Sequence, residues 1–349
     1  MVKKLRDWEK WPFALIYAPL IFVWMYYAFK AKAFWFMSNV NPTLEFSGFE
    51  GETKQEMYVQ LPTESYPQTL YVQAGESFDK LKTRLLNSGL TYPFIVKPEI
   101  GMQGLLFRRI ENESDLLYYH TYLPIDYVMQ ALVDLPIELS VFHIRYPGQV
   151  KGKITGFILK EYMTVLGDGK NDLLTLMMNH PKAKRRMIEM KAKHEKHLHL
   201  ILPAGKKFIL SMAGNHNRGA KFVNLHKQID DALCAVFDKI SLYAGKFYYG
   251  RYDVKCASIE ELKQGKNFGI LEFNGTGAEP NHIYDCGMSY TKALDEIQKH
   301  WADMYRIGKI NLQAGHPYWG FWKGYKYLAN AKKFFKRMRE YDINMDVEK

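Results

Sequence analysis

Two short stretches, GRYDVK (250–255) and GILEFNGTG (269–277), set four polar side chains among apolar ones: Arg251, Asp253, Glu272 and Asn274. If each stretch is a strand, period-two alternation puts Arg251 and Asp253 on one side of the first, and Glu272 and Asn274 on one side of the second. Antiparallel pairing would then gather two carboxylates, an amide and a guanidinium into one patch. Oxygen groups crowded in this way repel one another unless a cation lies between them. Mg²⁺ suits such a set, because it takes one or two carboxylates and completes its octahedron with water and phosphate oxygens. Arg251 would face the same phosphates and oppose charge developing on a transferring group. Val254, Ile270, Leu271 and Phe273 imply a largely buried sheet, where unpaired carboxylates are costly, so a merely solvated polar face is the poorer account.

Several upstream elements must position this patch. YPFIVKPEIGMQGLLFRRI (92–110) reads as a strand ending at Lys97, a loop with Gly101 and Gly104, and a second strand. A lysine followed by a glycine loop can hold phosphates through its ammonium and through backbone N–H groups. YVMQALV (127–133) and LPIELSVFHIRYPG (135–148) are strand-like runs around Asp134 and Pro136, residues 150–165 are again strand-like, and TVLGDGKNDLLTLM (164–177) is a turn followed by a helix. Its GDGK is no P-loop: the leading glycine of that motif would fall on Thr164 and the closing Ser/Thr on Asn171. ESFDKLKTRLLNSG places Phe78, Leu81 and Leu85 at helical spacing. Residues 180–197 are expected to form a basic helix whose His194 and His197 miss the HExxH zinc spacing by one residue, leaving a solvated face. The polar stretch 41–67, rich in Gly, Pro and Thr, reads as a linker.

The chain has 349 residues, 47% of them apolar, enough for one large domain or two ordinary ones. A net charge of +11 and a pI near 9.2 fit a phosphate-bearing ligand or an anionic membrane surface. No nucleic-acid-binding motif accompanies the charge, so nucleic acid is not expected as a partner. Cys234, Cys256 and Cys286 show no CxxC spacing, and a reducing compartment is the simpler reading.

From Trp11 to Phe29 run nineteen uncharged residues, eight of them aromatic. As a helix they would span ~28 Å, about one bilayer core. The run is too long and too rich in Trp and Tyr for a cleaved leader. Lys3, Lys4, Arg6 and Lys10 precede it and Lys30 and Lys32 follow, so the lysine and arginine count places the N-terminus in the cytoplasm. A cytoplasmic remainder conflicts with a single span. Pro19 can kink the segment, so a monotopic anchor is expected. At the far end, 316–340 interleaves aromatic rings with basic heads. Both headgroup contact and an ordinary terminal helix with a few rings on the core remain open for it.

GRYDVK followed by ILEFNGTG resembles the metal-binding end of the ATP-grasp superfamily and is similar to that of the D-alanine:D-alanine ligases. FIVKPEIGMQG resembles their lysine and glycine-loop motif, VMQALVDLPIELSVF their adenine hinge, and VLGDGKNDLLTLM a turn and helix of cyanophycin synthetases. The likeness runs in consistent order over residues 90 to about 290. It implies an α+β ATP-grasp fold, two α+β subdomains sandwiching ATP, behind an N-terminal hydrophobic membrane helix. It also implies an ATP- and Mg²⁺- (or Mn²⁺-) dependent carboxylate–amine ligase working through an acylphosphate, which the apolar N-terminal run places at the cytoplasmic membrane face; an ATP-grasp phosphotransferase and a membrane-tethered nucleotide-binding protein without turnover stand as alternatives. On this resemblance Lys97 contacts phosphates, Gly101 and Gly104 close over them, and Gln130 with backbone groups at Ala131 and Val133 holds adenine. Glu138 takes the ribose, Asp253, Glu272 and Asn274 ligate the metal, and Arg251 stabilises the transferring phosphoryl group. Asn215 and Arg218 form a looser match near the phosphates. The implied organisation is an anchor (1–37), a short linker and truncated pre-core region (38–90), a catalytic domain (91–310) and a basic aromatic tail (311–349). The turn after Asn274 departs from the ligases: it reads Gly275-Thr276-Gly277-Ala278-Glu279-Pro280, and Glu279 would repel a carboxylate and attract an amine. The carboxylate and amine substrates are not named by these residues.

Overall fold

Alternating apolar runs become strands throughout the computed structural model, which describes residues 8–347 apart from 103, 212–213 and 215–218. The strands are β1 (Thr69–Val72), β2 (Phe94–Pro98), β3 (Arg108–Ile110), β4 (Tyr127–Ala131), β5 (Ile137–Ile144), β6 (Lys153–Glu161), β7 (Met163–Leu166), β8 (Lys207–Ser211), β9 (Lys221–Asn224), β10 (Tyr249–Cys256) and β11 (Phe268–Asn274). They form a four-stranded sheet ordered β1-β4-β2-β3, a five-stranded sheet ordered β11-β10-β5-β6-β9, and the pair β7-β8. Each pairing is antiparallel. The fold is therefore α+β, and the segment 132–136 carries the chain from one large sheet to the other.

Each large sheet buries one face under helices. Phe94, Val96, Tyr127 and Met129 share a core with Leu81 and Leu85 of the Phe78–Ser88 helix and Leu116 and Tyr119 of the Glu113–Tyr122 helix. In the second sheet Tyr252 and Val254 lie opposite Val141 and Leu139, and all four pack with Leu233, Phe237 and Ile240 of the Asp231–Ala244 helix. Alternation then turns Arg251, Asp253 and Ser140 to the other face, toward the site. Local signals set the helix starts: Asn112, Asp172, Asp230, Ser258 and Ser289 each accept a backbone N–H three residues on.

Two expectations, for 180–197 and for 41–67, need correction. The basic stretch 180–197 is not one helix but a short α-helix, Met187–Lys193, between 3₁₀ turns at Ala183–Arg186 and Glu195–His197, and His194 is buried with Nε2 2.9 Å from the Leu210 carbonyl. The stretch 41–67 is not a solvated linker. Asn41 is fully buried: its Oδ1 accepts from the N–H groups of Tyr248 and Tyr249, and its Nδ2 donates to the Tyr249 carbonyl at 2.8 Å. The apolar N-terminal run is helical from Phe13 to Ala31 with a 3₁₀ turn at Ala18–Leu20, where Pro19 interrupts the ladder, and it lies against the Tyr290–Gln313 helix through Trp24–Trp301 and Tyr27–Tyr305 ring contacts. The C-terminal Phe321–Val347 helix buries Phe335, Met338 and Met345 against the first sheet's core, while Trp322 and Tyr325 remain exposed.

Candidate functional site

The four polar residues of the opening motifs meet. Arg251 lies opposite Asn274 and Asp253 opposite Glu272 in the β10–β11 register, so all four share one face. The two strands are joined through the short Ile259–Lys263 helix rather than a tight turn. Below Asp253 the register slips: Val254 pairs with Ile270, leaving Leu271 as the extra residue of a bulge. Its carbonyl accepts from Lys97 Nζ at 3.1 Å and from the Tyr58 hydroxyl at 2.5 Å. The bulge thus ties Lys97, on β2 of the first sheet, to the β11 edge of the second, beside Glu272.

Charge is balanced tightly here. Asp253 is 7% exposed and is held by Arg251 through Nε (3.2 Å) and Nη2 (3.3 Å), by Lys160 at 3.0 Å and by the Ser140 hydroxyl at 2.9 Å. Burial works to raise its pKa, but Arg251 and then Lys160 outweigh that and hold the carboxyl at about 2. Glu272 has no hydrogen-bond or ion-pair partner among the described residues, although its charge acts on Lys54, Lys97 and Arg251. Asn274 Nδ2 is likewise buried without a partner. An engaged carboxylate, an unengaged one opposite it and the carbonyl oxygen of the Asn274 amide form an oxygen-rich donor set that fits a hard divalent cation, while the unpartnered Asn274 Nδ2 is a hydrogen-bond donor only.

Burial pushes both Lys97 and Lys54 down to about 8 against the pull of Glu272. Gly101 lies so close to Lys54 that an added Cβ would stand 2.7 Å from Nζ, and Gly104 has φ +72°, a conformation glycine adopts at no cost. The remaining expected residues are scattered along the sheet-to-sheet connection. Gln130 is buried, its Nε2 donating to Thr69 Oγ1 at 2.8 Å and its Oε1 unpartnered. The Ala131 N–H donates to the Gln68 carbonyl at 2.9 Å, and the Val133 carbonyl accepts from Lys255 Nζ at 3.1 Å. Both oxygens of Glu138 are engaged, by Lys160 at 3.2 Å and by the Tyr162 hydroxyl at 2.5 Å. Asn215 and Arg218 lie outside the described residues.

Lys54, Lys160, Ser140 and Tyr58 escaped the sequence reading. Lys160 carried a legible signal, a lysine at the end of the apolar strand Phe157–Leu159 that parallels Lys97. Lys54 carried none, since it sits in a polar stretch. The Gly275-Thr276-Gly277 turn is also explained: the N–H groups of Thr276 and Gly277 donate to the carbonyls of Ser47 and Gly48, both at 3.1 Å, and neither glycine has room for a Cβ against that backbone. Glu279 accepts at Oε1 from the hydroxyls of Tyr17 (2.8 Å) and Tyr284 (3.0 Å), so the apolar N-terminal helix reaches the rim of the site.

No protein-family model matches this chain, and no curated protein does. Among solved structures it is similar to a D-alanine–D-alanine ligase from Bacillus anthracis (15% identity, 76% of this chain and 71% of that one, TM-score 0.43). It is also similar to a bifunctional glutathione synthetase from Pasteurella multocida (15% identity, 68% of this chain, TM-score 0.38) and to the ATP-grasp ligase PsnB (11% identity, 70% of this chain and 60% of that one, TM-score 0.36). The chain spans 34% of the length of the glutathione synthetase. What can be argued about chemistry therefore rests on the side chains described above.

Proposed function

We propose that this protein is an ATP-dependent carboxylate–amine ligase working at the cytoplasmic face of a membrane. The observation that carries the reading is the register that sets Asp253 against Glu272 and Arg251 against Asn274, with Lys97 fastened to the bulge at Leu271, next to Glu272. Asp253, Glu272 and Asn274 would hold Mg²⁺ or Mn²⁺, which when bound supplies positive charge facing the nucleotide's terminal phosphates. Lys97 and Lys54 present ammonium groups from the opposite side, and the loop at Gly101 and Gly104 lets backbone N–H groups approach the phosphates. Gln130 with the backbone at Ala131 and Val133 takes adenine; Glu138, bridged to Lys160, takes the ribose or sets that lysine. Arg251 opposes charge on the phosphoryl group in transfer. A substrate carboxylate oxygen attacks the γ-phosphorus, ADP leaves, and an amine nitrogen then displaces phosphate from the acyl carbon to form an amide. Catalysis rests on positioning and charge neutralisation, with no covalent enzyme intermediate.

We assign 91–310 to the catalytic core, 1–37 to attachment, 38–90 to the region ahead of the core and 311–349 to the basic aromatic tail. Attachment in the plane of the membrane is supported by the N-terminal helix, which packs one side on the protein and exposes Phe13, Ile21, Phe22, Met25 and Phe29 on the other. Exposed Phe321, Trp322 and Tyr325 extend this surface through the Phe34–Phe321 ring contact, beside Lys323 and Lys326. The decisive experiment is an ADP-release screen of candidate acids with and without amines, run beside Glu272→Gln. Amine-dependent ADP release by the parent and its loss in the variant is expected. A stable phosphorylated product without amine would make the protein a phosphotransferase, and no turnover with any acid would leave it a nucleotide binder.

A further inference from the structure

Beyond the oxygen-rich patch, the same face of the five-stranded sheet carries a second cluster of different chemistry. Glu296 and His300 are i and i+4 on the Tyr290–Gln313 helix, and so lie on one side of it. His282 reaches them from the Asn281–Ile283 turn. His282 Nε2 stands 3.3 Å and His300 Nε2 3.8 Å from Glu296 Oε1, and one donor atom from each residue lies within 4.8 Å of the others. The two imidazoles are 6% and 2% exposed.

We infer that His282, Glu296 and His300 bind a zinc-class divalent cation, separately from the cation proposed between Asp253 and Glu272. Three features carry this. First, His300 Nε2 is buried without a hydrogen-bond partner and points at the Glu296 carboxylate; as a ligand lone pair it gains the partner it lacks. Second, the ring is already oriented. Its Nδ1 lies 3.0 Å from the Tyr249 hydroxyl and Phe142 meets it edge-on at 4.6 Å, the kind of outer contact that fixes which imidazole nitrogen faces a metal. Third, His282 is seated. Its ring lies on Gly156, where no Cβ fits, and the neighbouring Asn281 side chain donates to Ser140 Oγ at 3.0 Å. Two imidazoles and one carboxylate select Zn²⁺ or Co²⁺ over Mg²⁺, which prefers all-oxygen sites. Tetrahedral Zn²⁺ wants donor separations of about 3.4 Å, so closing the cluster takes about 1 Å of side-chain rotation. Such a cation would fasten the turn that follows Glu279 to the helix beneath the N-terminal anchor.

The test uses the full chain, stripped by a chelator and then titrated with Zn²⁺ against a chromophoric competitor in excess Mg²⁺. One Zn²⁺ per chain is expected. Co²⁺ in its place should give visible bands of nitrogen ligation. Glu272→Gln should keep the Zn²⁺, whereas Glu296→Gln and His300→Ala should weaken it by about 100-fold or more, a loss of the size that ligand-sphere changes produce. Circular dichroism checks that these variants fold. Because the parent protein is measured first, the inference does not depend on them: absence of bound Zn²⁺ in excess Mg²⁺ overturns it. So does loss of that Zn²⁺ on Glu272→Gln, which would place the metal at the oxygen-rich patch instead.

Discussion

One face of the five-stranded sheet presents two polar clusters that solve burial in opposite ways. At the β11 edge, Asp253 is kept ionised by Arg251 and Lys160, and an excess of ammonium and guanidinium groups surrounds Glu272. Farther along, His282, Glu296 and His300 meet with fewer charges and more ring nitrogens, and burial pushes His300 down to about 3, so its imidazole is neutral. The first arrangement suits hard oxygen-seeking cations and phosphates, the second a softer cation. The lesson is that donor type, more than the presence of acidic residues, divides the labour of a shared surface.

The sharpest way to break this comparison is Glu272→Gln. Removing one charge without changing shape should lower ADP release by about 10²–10³-fold, with the melting temperature little changed. An equal loss from Glu296→Gln would mean that the two clusters act as one. Lys97→Met comes next. It removes the ammonium that spans the two sheets and should cost about tenfold to 100-fold, mostly in the ATP concentration needed for half-maximal rate, as a steady-state titration would show. Lys54→Met should act in the same direction but less.

A pH titration separates the clusters further. Lys54 and Lys97 are held at about 8 in the folded chain against an ordinary 10.5, so between those values the unfolded chain binds more protons. Stability should therefore rise as pH climbs from about 8 towards 10.5, while nucleotide affinity falls over the same range because the ammonium charge is lost. Asp253 gives the same slope in a separate window, because folding lowers its pKa too: its stabilising contribution is complete above its ordinary 3.8 and is lost as pH falls through about 2. Urea unfolding at stepped pH, beside nucleotide binding, reads both. The smallest expected effect is from Tyr17→Phe, which deletes one of two hydroxyls on Glu279 and should cost about 1 kcal/mol of stability. A large drop in turnover would instead show that the N-terminal helix controls the site.

Much of the first cluster was legible because strands obey a two-residue period. Arg251/Asp253 and Glu272/Asn274 are each local pairs, and only their mutual register had to be supplied by folding. Lys97 was legible for the same reason, as a charge closing an apolar run. Lys54 was not, because nothing local marks a lysine in a polar stretch as buried. The His cluster stayed hidden because its members sit on a turn and a helix, with thirteen residues between His282 and Glu296.

By itself, then, the order of residues determined the strand faces, the helix caps, the apolar N-terminal helix and the identity of the oxygen donors, all of which depend on spacings of a few residues. Tertiary structure alone decided that 41–49 would brace the turn after Asn274, that a bulge would free the Leu271 carbonyl for Lys97, and that Tyr17 would reach Glu279. Those contacts join segments tens to hundreds of residues apart, and which segments meet is settled by how whole faces bury together, a quantity no short window of sequence contains.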